Sequence, residues 1–313
     1  MVSMDNYWSV KGYWKVRMAC LIIIAVMSVV VLTGCGEVAA GEGEISVIRI
    51  GITVDDANPM SGTVNTAFLE ALEEFIGIPV VGMEDVTYLV GIEAMRAGNL
   101  DIMLASAFNY VSAKQVVDVE ILATVPMDAT SNTIFITRAD RDDINSVEDL
   151  QGQTFAFVNA ASTSGYIFPK YHLVRELGAD PQLITHSGHF FSAVTFSGGH
   201  DTSLMGVNFG DFDGAAIVSG MIDNMANAGI INPDDIKIIG ETAPFPTPAY
   251  IIRSELPDEL IEQIREFFLA FDDADYFYHV WGAWGGEIGR YLPPDADGFA
   301  YVESMVAILG LEN

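Results

Sequence analysis

The chain has 313 residues, and its 14 Lys and Arg stand against 43 Asp and Glu, a formal charge of −29 at pH 7. So large an acidic excess argues against nucleic-acid binding, because affinity for a phosphate backbone comes from clustered Lys and Arg. The length suits two lobes of ordinary size, each able to bury a core.

In chain order, Lys11, Lys15 and Arg17 come first, followed by CLIIIAVMSVVV from Cys20 to Val31. That run is too short to span a bilayer comfortably and fits the apolar region of an export signal. Leu32-Thr33-Gly34-Cys35 follows it and resembles the lipobox of bacterial lipoproteins. The resemblance implies cleavage after residue 34, diacylation of Cys35, and an extracytoplasmic protein held to the membrane by its N-terminal lipid. Cys20 would leave with the signal, so the exported part would hold no disulfide. Three basic residues and one acid would leave too, and the mature chain would carry 11 basic against 42 acidic residues, a charge of −31. Residues 35–45, with GEVAAGEGE from Gly36 to Glu44, are small, acidic and aperiodic, which predicts a flexible tether.

Ile45–Thr53 is a β-branched run predicted to form a buried first strand. Thr66–Gly77 has apolar residues at helical spacing and ends on glycine, predicting a helix. IPVVGME predicts a second strand, and YLVGIEAMRAGNLDIMLA a helix over about Val90–Arg96, a turn at Gly98-Asn99 and a strand over Leu100–Ala105. Asn132–Arg138 predicts another strand, after which the chain becomes polar and holds a short helix around Val147–Leu150. A fresh strand starts at Thr154, with a helix over about Tyr166–Leu177 beyond it. Val194–Val218 and Asp235–Glu241 continue this rhythm, and Ala249–Phe271 gives a strand, a turn at Leu256-Pro257 and an amphipathic helix. Alternating strands and helices predict an α/β fold with mixed, mostly parallel sheets flanked by helices. The boundaries expected are a signal at 1–34, a tether at 35–45, a first lobe at 46–138 and 246–313, and a second at 139–245. Two hinge crossings would leave a cleft between the lobes, a common place for a ligand.

Chemistry concentrates at Asn159–Phe168, NAASTSGYIF, where Ser162, Thr163, Ser164 and Gly165 separate a strand from a helix. Ser and Thr cap helices by accepting from the first free N–H groups. The same residues also make a nest of donors at the positive end of a helix dipole, which suits an anion. Pro169 lacks an N–H and would leave the Gly165 carbonyl without its usual helical partner, so a distorted first turn is expected. His200, in FSGGHD, lies at a second strand-to-helix junction and reads either as a capping or core histidine or as another donor. His172, His186, His189 and His279 show no metal-type pairing, and HSGH at 186–189 is read as a loop without a third ligand. No metal and no cofactor is expected. The ring-rich stretch from Asp275 to Tyr291 reads as helix-packing surface rather than a sugar platform.

Taken together, INSVEDLQGQTFAFVNAASTSGYIFPKY and FSGGHDTSLMGVNFGDFDGAAI resemble the second lobe of the phosphate/phosphite/phosphonate-binding proteins of bacterial ABC importers. YLVGIEAMRAGNLDIMLASAFNYVSA resembles part of the first lobe and TAPFPTPAYIIRSELPDELIEQIREFFLAF the returning segment, so the resemblance covers about residues 46–272. It implies a two-lobe type II periplasmic-binding fold that closes on a small phosphorus oxyanion and delivers it to a permease driven by an ATPase. By position it implies that Ser162, Thr163 and Ser164 grip the phosphorus oxygens, that His200 donates from the same lobe, and that Tyr88 and Ser106 contribute from the first. Tyr88 is read in the turn before the helix, one residue off the family spacing. Two departures bear on the ligand. The acidic residue that meets an aminoalkylphosphonate's ammonium aligns with Pro248, and a second amine contact, a glutamate, aligns with Ser219 or Gly220. An aromatic residue of several relatives is here Ala105. These differences point to phosphate, phosphite or a small uncharged alkylphosphonate rather than 2-aminoethylphosphonate.

Two other functions fit a two-lobe fold. One is an enzyme with Ser162 or Ser164 as nucleophile and His200-Asp201 as base, although no G-x-S-x-G elbow occurs at the junction. The other is a sensory lobe that signals through a receptor. The importer component is the leading expectation.

Overall fold

A computed structural model describes residues 45–53, 58, 60–84, 86, 88–126, 131–282 and 289–311. The predicted signal, Cys35 and the tether up to Glu44 lie outside the described residues. Among the described residues no helix is long and apolar enough to cross a membrane.

The first sheet grows from β1 (Ile48–Gly51), α1 (Met60–Ile76), β2 (Val80–Met83), α2 (Tyr88–Arg96), β3 (Ile102–Ala105), α3 (Ala107–Lys114) and β4 (Val119–Thr124). The second holds β5 (Thr133–Arg138), β6 (Thr154–Phe157), α4 (Phe168–Leu177), β7 (Ala193–Phe196), α5 (His200–Phe209), β8 (Gly214–Val218), α6 (Met221–Asn227) and β9 (Ile236–Glu241). The chain then returns through β10 (Ala249–Arg253), α7 (Asp258–Ala270), α8 (Ala274–Trp281) and α9 (Ala296–Ile308).

The strand orders are β2-β1-β3-β10-β4 and β7-β6-β8-β5-β9. In the first sheet β1 runs parallel to β2 and β3, and β10 is antiparallel to β3 and β4. In the second, β6 is parallel to β7 and β8, and β5 is antiparallel to β8 and β9. Each sheet therefore has the same plan, with its antiparallel strand supplied by a segment that has just crossed over. β8 (GAAIV) is buried throughout and β10 (AYIIR) in all but its last residue, as expected of central strands covered on both faces.

Most predicted elements are present, with shifted ends. Thr133–Arg138, however, pairs with β8 and β9, so the strand expected to end the first lobe at 138 belongs to the second sheet and the crossover comes before it. α1 starts six residues before Thr66 because its first turns bury polar side chains, Ser61 and Asn65, at helical spacing. An apolar count passes over them, yet Asn65 Nδ2 donates to the Thr53 carbonyl at 2.7 Å and ties the helix to the end of β1. The predicted strand at Leu100 begins at Ile102, because Asp101 serves another role. Its buried carboxylate accepts from Arg49 N at 2.9 Å and pairs with Arg253 at 3.3 Å, joining β1, β3 and β10. The helix predicted around Val147 is a 3₁₀ turn, Glu148–Leu150.

Aromatic rings fill both layers. Phe68 stacks on Tyr276 at 4.9 Å and meets Phe267, Phe268 and Phe271 edge-on, so the ring-rich C-terminal stretch is packing surface as read. Phe155 stacks on Phe191 at 4.4 Å. The two crossing segments run side by side: Val125 N donates to the Pro248 carbonyl at 2.9 Å and Phe245 N to the Ser131 carbonyl at 3.0 Å. α9 leans on α3 through Tyr110–Phe299 contact and the Lys114–Glu303 pair at 2.7 Å, and its Tyr301 meets Phe168.

Candidate functional site

The junction after β6 is not an ordinary helix start. Thr163–Ile167 form a single π turn that runs straight into α4. Ile167 N donates to the Ser162 carbonyl and Phe168 N to the Thr163 carbonyl, both five residues back. The predicted distortion at Pro169 takes this form, and the Gly165 carbonyl that proline leaves free accepts from Val158 N at 3.0 Å. That bond folds the turn back onto the end of β6, which is why residue 165 has no side chain. A Cβ there would sit inside the van der Waals envelope of Val158 Cβ and Cγ2. Ser162 caps the turn by accepting from Gly165 N at 3.0 Å, and Thr133 Oγ1 fixes the Ser164 carbonyl at 2.6 Å. The N–H groups of Thr163 and Ser164 open the turn and have no acceptor among the described residues.

Ser164 Oγ lies 3.0 Å from His200 Nε2. On the other side of that ring, Val218 N donates to Nδ1 at 3.0 Å. A nitrogen that accepts carries no proton, so these bonds assign the neutral tautomer with its hydrogen on Nε2. His200 faces Ser164 as a donor. Burial pushes its pKa down to about 4, with Asp201 opposing weakly, although part of the residue borders the cavity. The ring is neutral at neutral pH. In a Ser-His-Asp triad the carboxylate accepts from Nδ1–H, leaving Nε2 free to take the serine proton. Here both positions are reversed.

The first sheet contributes the start of α3. Ser106 is its N-cap, accepting from Asn109 N at 3.4 Å and donating to Asn109 Oδ1 at 2.7 Å. Phe108 N donates to Thr163 Oγ1 at 2.9 Å, and Asn109 Nδ2 to the Ala161 carbonyl at 3.3 Å. These two bonds join the halves of the molecule at the floor of the cleft. Thr163 is buried, and its oxygen already serves a backbone donor.

These pieces enclose a cavity of about 360 Å³ lined by Ser106, Asn109, Ser162, Thr163, Ser164 and His200 on its polar side. Ile52, Val86, Leu104, Phe245, Pro246, Pro248 and Trp281 form the apolar side. None of the described lining residues is Asp, Glu, Lys or Arg. Of the six binding residues expected from the sequence, five meet here. The sixth, Tyr88, is the first residue of α2 rather than part of the preceding turn, and its side chain lies outside the described part of the structure. Pro248 borders the cavity where an acidic residue was the alternative, whereas Ser219 Oγ accepts from Asn132 N at 3.1 Å. Asn109, Phe245, Pro246 and Trp281 were not anticipated. Trp281 closes α8 and donates to the buried Tyr291 hydroxyl at 3.4 Å, so the packing cluster supplies one wall of the cavity. Among the described residues no group of acidic, His or Cys side chains could hold a metal.

Residues 60–297 match the family of periplasmic substrate-binding proteins of phosphonate ABC transporters. The phosphate-import protein PhnD of Mycolicibacterium smegmatis is 26% identical over 210 residues, 64% of either chain. The probable ABC transporter phosphite-binding protein PhnD1 of Prochlorococcus marinus is 24% identical over 179 residues, 55% of this chain and 58% of that protein. The chain thus spans less than two thirds of the length of these curated relatives. In three dimensions it is similar to Prochlorococcus marinus PhnD1 in complex with methylphosphonate, with a TM-score of 0.68 and 17% identity, covering 85% of this chain and 98% of the other. A binding-protein component of an ABC phosphonate transporter from Pseudomonas aeruginosa gives a TM-score of 0.68 at 20% identity, covering 84% and 86%. These likenesses show the type II periplasmic-binding fold expected from the sequence. The chain belongs to the periplasmic substrate-binding proteins of phosphonate ABC transporters.

Proposed function

We propose that this protein is the extracytoplasmic binding component of an ABC importer and captures a small phosphorus oxyanion in the cavity between its sheets. One observation carries the reading: the polar side of the cavity is built of hydroxyls, an amide, a histidine fixed as an Nε2–H donor and the open N–H groups of a helical turn, with no charged side chain among the described lining residues. Donors can satisfy a phosphorus oxyanion without a cation in contact with it. Hydrogen bonds to a charged group contribute about 1.5–3 kcal/mol each. Roughly four to six of them, less the cost of association and closure, reach micromolar binding or tighter. Ser162, Thr163, Ser164, His200, Ser106 and Tyr88 are the proposed contacts. The lack of a carboxylate among the described lining residues favours phosphate, phosphite or an uncharged alkylphosphonate over 2-aminoethylphosphonate.

Two further parts follow from the family, delivery to a permease with its ATPase and export, and a third, attachment through a lipid on Cys35, follows from the lipobox-like Leu32-Thr33-Gly34-Cys35. Release of a Cys35→Ala variant from the membrane fraction would check the last. The hydrolase alternative finds no support in the His200 tautomer, which leaves Ser164 without a proton acceptor. The decisive experiment is calorimetric titration with phosphate, phosphite, methylphosphonate and 2-aminoethylphosphonate. At least one of the first three should bind saturably and unchanged, and more tightly than the fourth. Failure of all three to bind would remove the proposal.

A further inference from the structure

Lys170 is a buried cation with only neutral company. It lies in the first turn of α4, and 3% of it is exposed. Its Nζ donates to the Tyr166 hydroxyl at 3.1 Å and sits 5.1 Å from the centroid of that ring. No carboxylate among the described residues pairs with it, and burial alone acts on its pKa, downward. This is a costly place for a charge on two grounds. Desolvation is not offset by a counter-ion, and the amine stands near the positive end of its own helix dipole. A chain with 43 acidic residues has no shortage of partners, yet none among the described residues is placed here.

The position relative to the cavity suggests what offsets that cost. Helical side chains slope toward the N-terminus. The bond to Tyr166 accordingly brings Nζ back to the π turn, two residues beyond Ser164. At about 1.5 Å per residue, the Lys170 backbone is roughly 9 Å along the helix from Ser164. Over a distance of that order, attraction to an anion through protein is less screened than in water.

The geometry points to Lys170 as a positioning residue of the oxyanion site, one that acts through its field rather than by contact: its charge has no counter-ion until an anion occupies the turn at 162–165. The inference rests on the proposed oxyanion reading of the cavity. It explains how a cradle of neutral donors holds an anion inside a strongly negative molecule.

The test compares wild type, Lys170→Met and Lys170→Arg by calorimetry with phosphate, phosphite and methylphosphonate, and by thermal unfolding without ligand. Methionine keeps the length of the stem and removes the charge. Its unliganded melting midpoint should equal or exceed that of wild type, because an uncompensated charge has gone. Its dissociation constant should rise about five- to twentyfold for every one of the three anions that wild type binds. Arginine should restore affinity to within about threefold, since it carries the same charge. Equal affinities of wild type and the Met variant would overturn the inference. So would a lowered midpoint with a loss of affinity that arginine does not repair, the signature of packing alone. Wild type failing to bind any of the three anions defeats the oxyanion reading itself, a separate result obtained before the variants are compared.

Discussion

The tautomer of His200 has a measurable consequence away from any ligand. Burial holds the folded ring's pKa at about 4, whereas the unfolded chain titrates near the ordinary 6.5. Above pH 6.5 both states are neutral and the ring adds no pH dependence. As pH falls below 6.5 the unfolded chain takes up a proton that the folded ring refuses, so folding stability declines until about pH 4, where the native ring is protonated as well. At about 1.4 kcal/mol per unit of pKa, the full window is worth about 3 kcal/mol. Contact of the ring with the cavity reduces this to about 2–3 kcal/mol. The perturbation is His200→Gln, which replaces the ring by an amide that does not titrate. Urea unfolding of both proteins between pH 7.5 and 4.5 gives a double difference in which carboxylates, and the also depressed His172, cancel. The stability of wild type relative to the variant should fall by about 2 kcal/mol on acidification. A difference that stays flat across this range would show that burial does not hold the folded ring neutral, and the reasoning from its desolvation would fail.

Three substitutions probe the cradle. Ser164→Ala should weaken oxyanion binding by about 1–3 kcal/mol in calorimetry and leave the urea midpoint nearly unchanged; undiminished affinity would place the anion elsewhere. Gly165→Ala should cost about 1–3 kcal/mol of stability by driving a methyl into Val158, and wild-type stability would mean that the turn is not pressed against β6. Thr163→Val leaves Phe108 N–H without its acceptor and should lower stability by about 1–3 kcal/mol, whereas a neutral result would remove this one of the two bonds between the halves.

Some of this was written locally in the chain. The apolar run of β6, the hydroxyls after it and Pro169 lie within sixteen residues, and from them a strand, a donor-rich junction and an irregular first turn can be deduced. FSGGHD likewise announces the start of α5. What escaped depends on partners far away in sequence. Phe108 meets Thr163 across 55 positions, and neither residue type signals such a bond, so the hydroxyl looked wholly available to a ligand. Asn109 is an ordinary helix residue until its amide is seen reaching Ala161. Trp281 belongs to a stretch correctly read as packing surface, but a packed ring has two sides, and only the fold reveals that one of them borders the cavity. Apolar spacing alone starts α1 late, because Ser61 and Asn65 fill interior positions of its first turns. The proline argument identified the irregular turn without showing that the freed Gly165 carbonyl would find Val158. Strand ends moved for a similar reason, since Asp101 was a strand residue by position and an anchor for two arginines by chemistry.

The placement of β10 bears on how the molecule assembles. β3 and β4 do not touch each other in the first sheet; β10 separates them, bonded on both sides. A ribosome must therefore deliver residue 253 before that sheet can close, long after its first seven elements have emerged. Until then β4 is a detached strip, and shortening the gene at any point upstream yields a half-built layer with two bare edges. Distant pairings of this sort slow folding, so the amino-terminal half should remain soft and protease-sensitive for most of its synthesis and harden only at the end.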